Sequence, residues 1–253
     1  RGLIRLFLFR YRHAVRMPGK ILEQYSLLRV TLMQKWQEAR KQQDYGIFSP
    51  WLEQAFQLKK QIALAIEPEK PAFDTLVGMT DEGLSCQEVS KQFVVLKQGI
   101  RQLMQKLDPT VQDGREDIFL EQQEDPGAME TFAHRLAYES GYDPRKGHFN
   151  DQVVHGFTSF LGPRDSRIST YRNGSIALLF TCMHEAGHAM YATGGNAAVN
   201  EADLWGGIEG GFHEAMSRFN ENMVARSRGY WKHYYPLLQK EFPRFRDVSE
   251  DQF

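Results

Sequence analysis

The sequence predicts a mainly α-helical fold with a small β-hairpin or sheet placed before one buried helix. Three observations predict it. Apolar residues recur at three-to-four spacing over most of the chain, one short segment is instead rich in β-branched and aromatic residues, and an apolar run with a glycine stop follows that segment. With 253 residues, the chain can bury a substantial core. We expect a single mostly helical region, 1–253, with a helical subregion at 1–150 and a second subregion at 151–253.

The first subregion is predicted to contain four amphipathic helices separated by proline-containing turns. They run from Pro18 to about Tyr45, from Pro50 to about Ile66, from Ser85 to about Leu107 and from Arg115 to about Ser140. Ahead of them lies a basic segment without acidic residues, which we interpret as the exposed face of another amphipathic helix; contact with an anionic surface is the alternative. Its members are Arg1, Arg5, Arg10, Arg12, Arg16 and Lys20.

The composition changes between about Asp151 and Arg172. Two runs rich in β-branched and aromatic residues, from Val153 to Phe160 and from Arg167 to Tyr171, are separated by turn residues at 162–165. They predict a hairpin directly before the buried helix. Such a sheet edge can hold an extended peptide through backbone hydrogen bonds, although a purely structural ribbon is the alternative.

An HExxH cluster, His184-Glu185-Ala186-Gly187-His188, lies in the buried helix predicted from Ser175 to Ala192. Four-residue spacing on a helix places both imidazoles on one face, where they can reach one metal ion. Glu185 is placed to accept a proton from the attacking water. Gly187 costs roughly 1 kcal/mol against alanine within a helix, which indicates close packing at that turn. An accidental match on an ordinary helix is the alternative.

A catalytic zinc site needs a third protein ligand, and the downstream sequence offers several. Helices are predicted from about Phe212 to Arg228 and from about Tyr230 to Lys240. A ligand on a rigid helix is better positioned than one in a glycine-rich loop. This favours His213, Glu214 or Glu221 over Glu201, Asp203 and Glu209. Arg218 follows Glu214 by one turn and can hold its carboxylate.

The HExxH motif and the run from His213 to Ser227 together resemble the Taq-type thermostable metallocarboxypeptidases, which are HExxH zinc carboxypeptidases. Nearly the whole chain takes part in the resemblance, because segments at 36–40, 48–52, 155–158 and 165–170 also match that family's motifs. The resemblance implies a helical metallopeptidase fold, and it implies roles for individual residues. His184, His188 and Glu214 would be metal ligands and Glu185 the general base, while His155, Asp165, Arg167, His213 and Arg218 would bind substrate or support the ligands.

The implied activity is a metal-dependent carboxypeptidase that uses Zn²⁺, or Co²⁺, to release C-terminal amino acids from peptides. A cation must then bind the free carboxylate of the substrate, and Arg167 is the nearest candidate. Family members are about twice this length and form homodimers, so we expect a fragment that lacks N- and C-terminal parts of the catalytic region. The alternatives are an HExxH oligopeptidase or aminopeptidase, and a truncated helical homologue without catalysis.

Composition limits the partners and the compartment. The net charge of −1 gives no reason to expect a nucleic-acid partner. The apolar run at 3–10 is interrupted by arginine and too short to cross a bilayer, so no membrane association is expected. Cys86 and Cys182 are too few for a disulfide framework, which favours a reducing, cytoplasmic location.

Overall fold

The structure, a computed structural model, describes residues 2–107, 120–207 and 209–253. Contacts between Cα atoms group the chain into two compact units, residues 1–106 and 107–253. The expected subregions divide the chain later, at 150, because the periodicity of the last helix before the hairpin resembles that of the helices before it. The mainly α-helical fold with a small sheet is confirmed.

The first unit is entirely helical in the part that the structure describes. Its α-helices are α1 Gly2–Arg16, α2 Gly19–Gln42, α3 Ser49–Ile66, α4 Ala72–Thr80 and α5 Cys86–Met104. Local signals fix several of their ends: Ser85 and Glu88 form a reciprocal capping box at the start of α5, and Pro50 lies in the first turn of α3. The predicted helices at α2, α3 and α5 are therefore confirmed. The nine-residue helix α4 was not predicted.

The basic segment at the start of the chain forms the helix α1. Arg5, Arg10, Arg12 and Arg16 are all exposed on it, whereas Arg1 lies outside the described residues. No helix in the described part of the chain is both long enough and apolar enough to span a membrane.

The second unit combines helices with a short sheet. Its elements are α6 Pro126–Glu139, β1 Phe149–Asn150, β2 Gln152–Gly162, β3 Asp165–Tyr171, α7 Ala177–Thr193, α8 Ala197–Glu201, α9 Gly210–Arg218, a π-helical segment Phe219–Ala225 and α10 Arg228–Glu241. Helix α6 begins later than the predicted Arg115. Pro126 occupies its first turn and Asp125 caps it by accepting a hydrogen bond from the Ala128 amide. Residues 115–119 of the predicted helix lie outside the described residues.

The sheet has the strand order β1-β3-β2, so β2 lies at one edge. Strands β2 and β3 form the predicted antiparallel hairpin, in which Thr158 is opposite Ile168 and Ser159 is opposite Arg167. The two-residue strand β1 pairs in parallel with β3 and was not predicted, because so short a strand has no periodicity of its own.

Helix α7 lies at the centre of the second unit and packs against α6, the sheet, α9 and the π-helical segment. Leu178, Leu179 and Met183 are fully or almost fully buried, together with Met129 and Leu136 of α6. The helix ends at Gly194, as the glycine pair predicts. A central, buried helix provides a rigid support for the HExxH side chains.

The helix predicted from Phe212 to Arg228 differs from the structure. An α-helix covers only Gly210–Arg218, and the chain continues in π-helical geometry through Phe219–Ala225. Within that segment the buried Asn220 amide donates to the Met183 carbonyl of α7 over 2.5 Å. The π geometry thus occurs where this segment is bonded to the HExxH helix.

Candidate metal centre

Two imidazole nitrogens and one carboxylate oxygen converge between α7 and α9. Nε2 of His184 lies 3.6 Å and Nε2 of His188 lies 3.4 Å from Oε2 of Glu214. Tetrahedral ligands at about 2.1 Å from a zinc ion are separated by about 3.4 Å, so these distances fit one ion. Within the described ranges, these residues form the one group of three or more His, Cys, Asp and Glu side chains whose ligand atoms all lie within 4.8 Å of one another.

Gly187 allows α9 to approach α7 closely enough to supply Glu214. A Cβ atom at this position would lie 2.7 Å from Cα of Ser217 and 2.9 Å from the carbonyl oxygen of Met216. Both are backbone atoms, so a side chain here would force the two helices apart. The close packing predicted from this glycine is confirmed, and its cause is the backbone of α9.

The other ring nitrogen of His184 is held by a carboxylate. Nδ1 of His184 lies 3.0 Å from Oε2 of Glu221. Because a carboxylate only accepts, this imidazole carries its proton on Nδ1 and presents the lone pair of Nε2 to the ligand cluster. Arg218 and Arg226 donate to Glu221 over 3.2 and 3.0 Å. Burial raises the pKa of Glu221, but the hydrogen bond from Arg226 and then that from His184 outweigh it, and the net pKa is lowered.

His188 has an imidazole as its partner instead of a carboxylate. Its Nδ1 lies 3.1 Å from Nδ1 of His213, whose Nε2 lies 2.8 Å from the Gly206 carbonyl oxygen. Burial, followed by the neighbouring His184 and His213 rings, lowers the pKa of His188 to about 4. The imidazole is consequently neutral at pH 7, which is the form that binds metals.

The carboxylate of Glu214 is held from both sides. Nε of Arg218 donates to Oε1 over 2.8 Å, and the buried Ser217 hydroxyl lies 3.2 Å from Oε2. Burial acts to raise the pKa of Glu214, yet the hydrogen bond from Arg218 and the nearby His184 produce a net lowering. Glu214 is therefore ionised and oriented at neutral pH.

Glu185 is buried between α7 and the sheet, with 6% of its surface exposed. Its Oε2 accepts a hydrogen bond of 2.7 Å from the hydroxyl of Thr158 on β2. Burial raises the pKa of Glu185, and the hydrogen bond from Thr158 and the nearby His184 and His155 rings offset this only in part. A buried carboxylate with a raised pKa beside the ligand cluster is a stronger proton acceptor than an exposed one.

The remaining predicted site residues occupy two places. His155 is close enough to affect the pKa of Glu185, and its Nδ1 donates to the Gly156 carbonyl over 2.6 Å. Arg167 donates to Asp165 through two nitrogens, over 2.9 and 2.7 Å. Because side chains alternate along a strand and Thr158 is opposite Ile168, Arg167 faces away from the side that carries Thr158. His155 thus precedes the glycine that lies against Glu185, whereas the Asp165–Arg167 pair belongs to the other face of the hairpin.

Several residues of the cluster were not assigned these positions from the sequence. Thr158 lies in the predicted hairpin and in the 155–158 segment that resembles a family motif, but it was given no role of its own. Glu221 was a candidate ligand, and the structure places it behind His184. Arg226 lies five residues after Glu221, a spacing that an ordinary α-helix does not bring onto one face. Only the π-helical turn indicates that contact.

Comparisons with known proteins agree with the geometry. The family described as carboxypeptidase Taq (M32) metallopeptidase matches residues 1–253. Thermostable carboxypeptidase 1 of Pyrococcus furiosus is 28% identical over 245 residues, which cover 96% of this chain and 49% of that protein. The resemblance inferred from the motifs is confirmed, and the chain spans about half the length of the curated relatives it matches.

Solved structures share the fold. The crystal structure of BsuCP matches with a TM-score of 0.89 at 26% identity, over 99% of this chain and 50% of that one. The M32 carboxypeptidase from Deinococcus radiodurans R1 matches with a TM-score of 0.82 at 30% identity, with the same coverage of both chains.

Proposed function

We propose that this chain, which belongs to the carboxypeptidase Taq (M32) metallopeptidase family, forms the metal centre of a metal-dependent carboxypeptidase. The reaction is hydrolysis of the last peptide bond, with release of C-terminal amino acids. The observation that carries the proposal is the convergence of His184 Nε2, His188 Nε2 and Glu214 Oε2 beside the buried Glu185.

The donor set supports Zn²⁺ as the cofactor, with Co²⁺ as a substitute. Two neutral imidazoles and one carboxylate are typical ligands of a catalytic zinc site that keeps one position open. When bound, the ion supplies Lewis-acid polarisation of the scissile carbonyl. His184, His188 and Glu214 are the residues that would hold it.

Glu185 is proposed to move the proton during hydrolysis. It accepts a proton from the attacking water and returns it to the leaving amine, and its burial raises the pKa of the carboxyl group, which strengthens it as a proton acceptor. Thr158 orients one carboxylate oxygen, Oε2. A Cβ atom at Gly156 would lie 2.7 Å from Cγ2 of Thr181 and 3.3 Å from the other oxygen, Oε1, so glycine allows β2 to lie directly against Glu185.

The substrate is proposed to be a peptide with a free C-terminus that lies along β2. Strand β2 is an edge strand, and Thr158 joins it to the general base. Recognition of the terminal carboxylate requires a cation. The pairing of Arg167 with Asp165, and its orientation away from Thr158, argue for a different cation in this role.

We further propose a cytoplasmic homodimer that acts without a nucleic acid or a membrane. The two cysteines are free, as is usual in a reducing compartment. The net charge of −1 gives no excess of positive charge for binding a nucleic acid or an anionic membrane surface. Large apolar side chains are exposed along α5, including Phe93 at 62% and Val95 at 70%, as expected of a surface that becomes covered on association.

The carboxypeptidase proposal is tested by comparing two forms of one peptide. Zn²⁺-loaded full-length protein is expected to release amino acids from a peptide with a free C-terminus and to leave the C-terminally amidated peptide intact. Cleavage of both forms would identify an oligopeptidase or aminopeptidase instead. Stoichiometric metal without turnover on either form would identify a non-catalytic homologue.

A Glu185→Gln substitution tests the role of the general base. Removal of a general base typically costs 10²–10⁴ in rate, so kcat is expected to fall at least about 100-fold while bound metal is unchanged. Glu201→Gln in the exposed helix α8 is the matched control and should retain activity. Retention of full hydrolysis by Glu185→Gln would refute the assignment.

A further inference from the structure

His213 precedes the proposed ligand Glu214 and uses both ring nitrogens. Nδ1 lies 3.1 Å from Nδ1 of His188, and Nε2 lies 2.8 Å from the carbonyl oxygen of Gly206. The ring is packed among aromatic side chains, with its centroid 4.8 Å from that of Phe160 and 4.8 Å from that of Tyr191. The half-buried imidazole is thus fixed in position and makes no hydrogen bond with Glu214 in the described structure.

The chemistry of the two hydrogen bonds determines where the protons lie. A carbonyl oxygen only accepts, so Nε2 of His213 carries a proton. The 3.1 Å contact between the two Nδ1 atoms needs one donor, and with Nδ1 of His188 as that donor, Nδ1 of His213 is the acceptor. That leaves Nε2 of His188 without a proton, and this atom is the one that faces Oε2 of Glu214 at 3.4 Å.

The carbonyl that begins this chain of hydrogen bonds lies in a glycine turn. Gly206 and Gly207 have φ values of 89° and 83°, which side chains rarely tolerate. A Cβ atom at Gly207 would lie 2.5 Å from Cε1 of Tyr191 and 3.0 Å from Nε2 of His213. Glycine therefore allows the turn to press against His213 and to aim the Gly206 carbonyl at its Nε2.

We infer that His213 is a positioning residue that fixes His188 in the tautomer able to bind the metal, through a relay that begins at the Gly206 carbonyl. The inference rests on the proposed metal site. It also makes the two histidine ligands unequal: a carboxylate, Glu221, orients His184, whereas an imidazole, His213, orients His188.

The tautomer of His188 is measured directly by ¹⁵N-edited NMR of metal-free protein labelled at histidine, with His188→Gln used for assignment. The wild type is expected to show His188 protonated at Nδ1. In His213→Phe, which keeps an aromatic ring but has no nitrogen, the proton is expected to move to Nε2. An Nδ1 proton on His188 in the variant would overturn the relay.

Zinc affinity, measured by competition with a chromophoric chelator, gives the functional readout. Loss of a residue that orients a metal-binding histidine typically costs 10–100-fold in affinity, and we expect that loss in His213→Phe. His213→Asn keeps an oxygen acceptor near the position of Nδ1 and should lie closer to the wild type. Equal losses in both variants would assign the effect to packing and overturn the inference.

A matched control and the wild-type protein distinguish a failure of the proposed metal site from a failure of the proposed role of His213. His233→Phe makes the same substitution at an exposed position on α10 and should leave zinc affinity unchanged. Wild-type protein that binds no stoichiometric zinc would contradict the proposed function. Wild-type binding with unchanged affinity in His213→Phe would contradict the relay alone.

Discussion

Thr158 shows how a single hydroxyl can determine the behaviour of the proposed general base. It donates to Oε2 of Glu185 over 2.7 Å and lies 3.1 Å from the backbone carbonyl of the same residue. The first contact favours the ionised carboxylate, and burial opposes it. The pKa of Glu185 thus depends on a strand residue that is distant in sequence.

Thr158→Val removes this hydrogen bond and nearly preserves the side-chain volume. The pKa of Glu185 is already raised, and without this donor it should rise further. Protonated Glu185 cannot act as a base, so the acidic limb of the pH profile of kcat/KM should move to higher pH. Thr131→Val, at an exposed hydroxyl that donates to Gly127 on α6, should leave the profile unchanged. An unchanged acidic limb in Thr158→Val would disprove this role.

At the scale of elements, the site depends on the contact between α7 and α9. Gly187 lies against the backbone of Met216 and Ser217, and Asn220 donates to the Met183 carbonyl from the π-helical segment that follows. These contacts fix α9 relative to α7. They consequently fix Glu214 relative to the two histidines on which the metal site depends.

Gly187→Ala should separate these two helices. Alanine favours helix by about 1 kcal/mol, but its Cβ would overlap two backbone atoms, and overpacking typically costs 1–3 kcal/mol. We expect a lower free energy of unfolding, measured by urea denaturation, and weaker zinc binding. Gly229→Ala on α10 has nothing within 4 Å of the new Cβ and should be neutral or stabilising by up to about 1 kcal/mol. Equal effects of the two substitutions would contradict the close contact.

The elements that could be predicted from sequence are those with local signals. Helices α2, α3 and α5 have amphipathic periodicity and turn or capping residues, and the hairpin has its alternating strands. Strand β1 and the π-helical segment depend on distant partners, β3 and α7. A pairing that only the folded chain creates leaves no periodic pattern in the sequence.

The same distinction applies within the site. The spacing of His184 and His188 on one helix indicates a shared ligand position, and Gly187 indicates close packing. The helix context left His213, Glu214 and Glu221 open, and the family resemblance implied Glu214. All three reach the cluster in the structure, at different atoms. Sequence spacing cannot distinguish a ligand from a residue behind a ligand, because that depends on which ring nitrogen each side chain meets.

At the scale of the molecule, the proposed metal links segments within the second unit. The ligands lie on α7 and α9, between which the chain passes through α8 and a glycine-rich connection. An ion held by both helices binds the folded state and not the unfolded one. Metal binding should therefore add to the stability of this unit by mass action.

Removal of the metal should lower the thermal stability. At free Zn²⁺ of one hundred times Kd, binding adds about 2.7 kcal/mol, which corresponds to a Tm increase of roughly 5–10 °C for a chain of this size. Chelation should reverse the increase, as followed by calorimetry. Glu214→Gln should show a much smaller response to the chelator. The same Tm with and without chelator in the wild type would contradict a metal ion held by both helices.

Anomalous diffraction at the zinc absorption edge, from crystals of Zn²⁺-loaded protein, tests the proposed centre most directly. We expect one strong peak at about 2.0–2.2 Å from Nε2 of His184, Nε2 of His188 and a carboxylate oxygen of Glu214, with Glu221 and His213 outside the coordination sphere. A peak bound through Nδ1 atoms or by Glu221, or no peak at this position, would contradict the account.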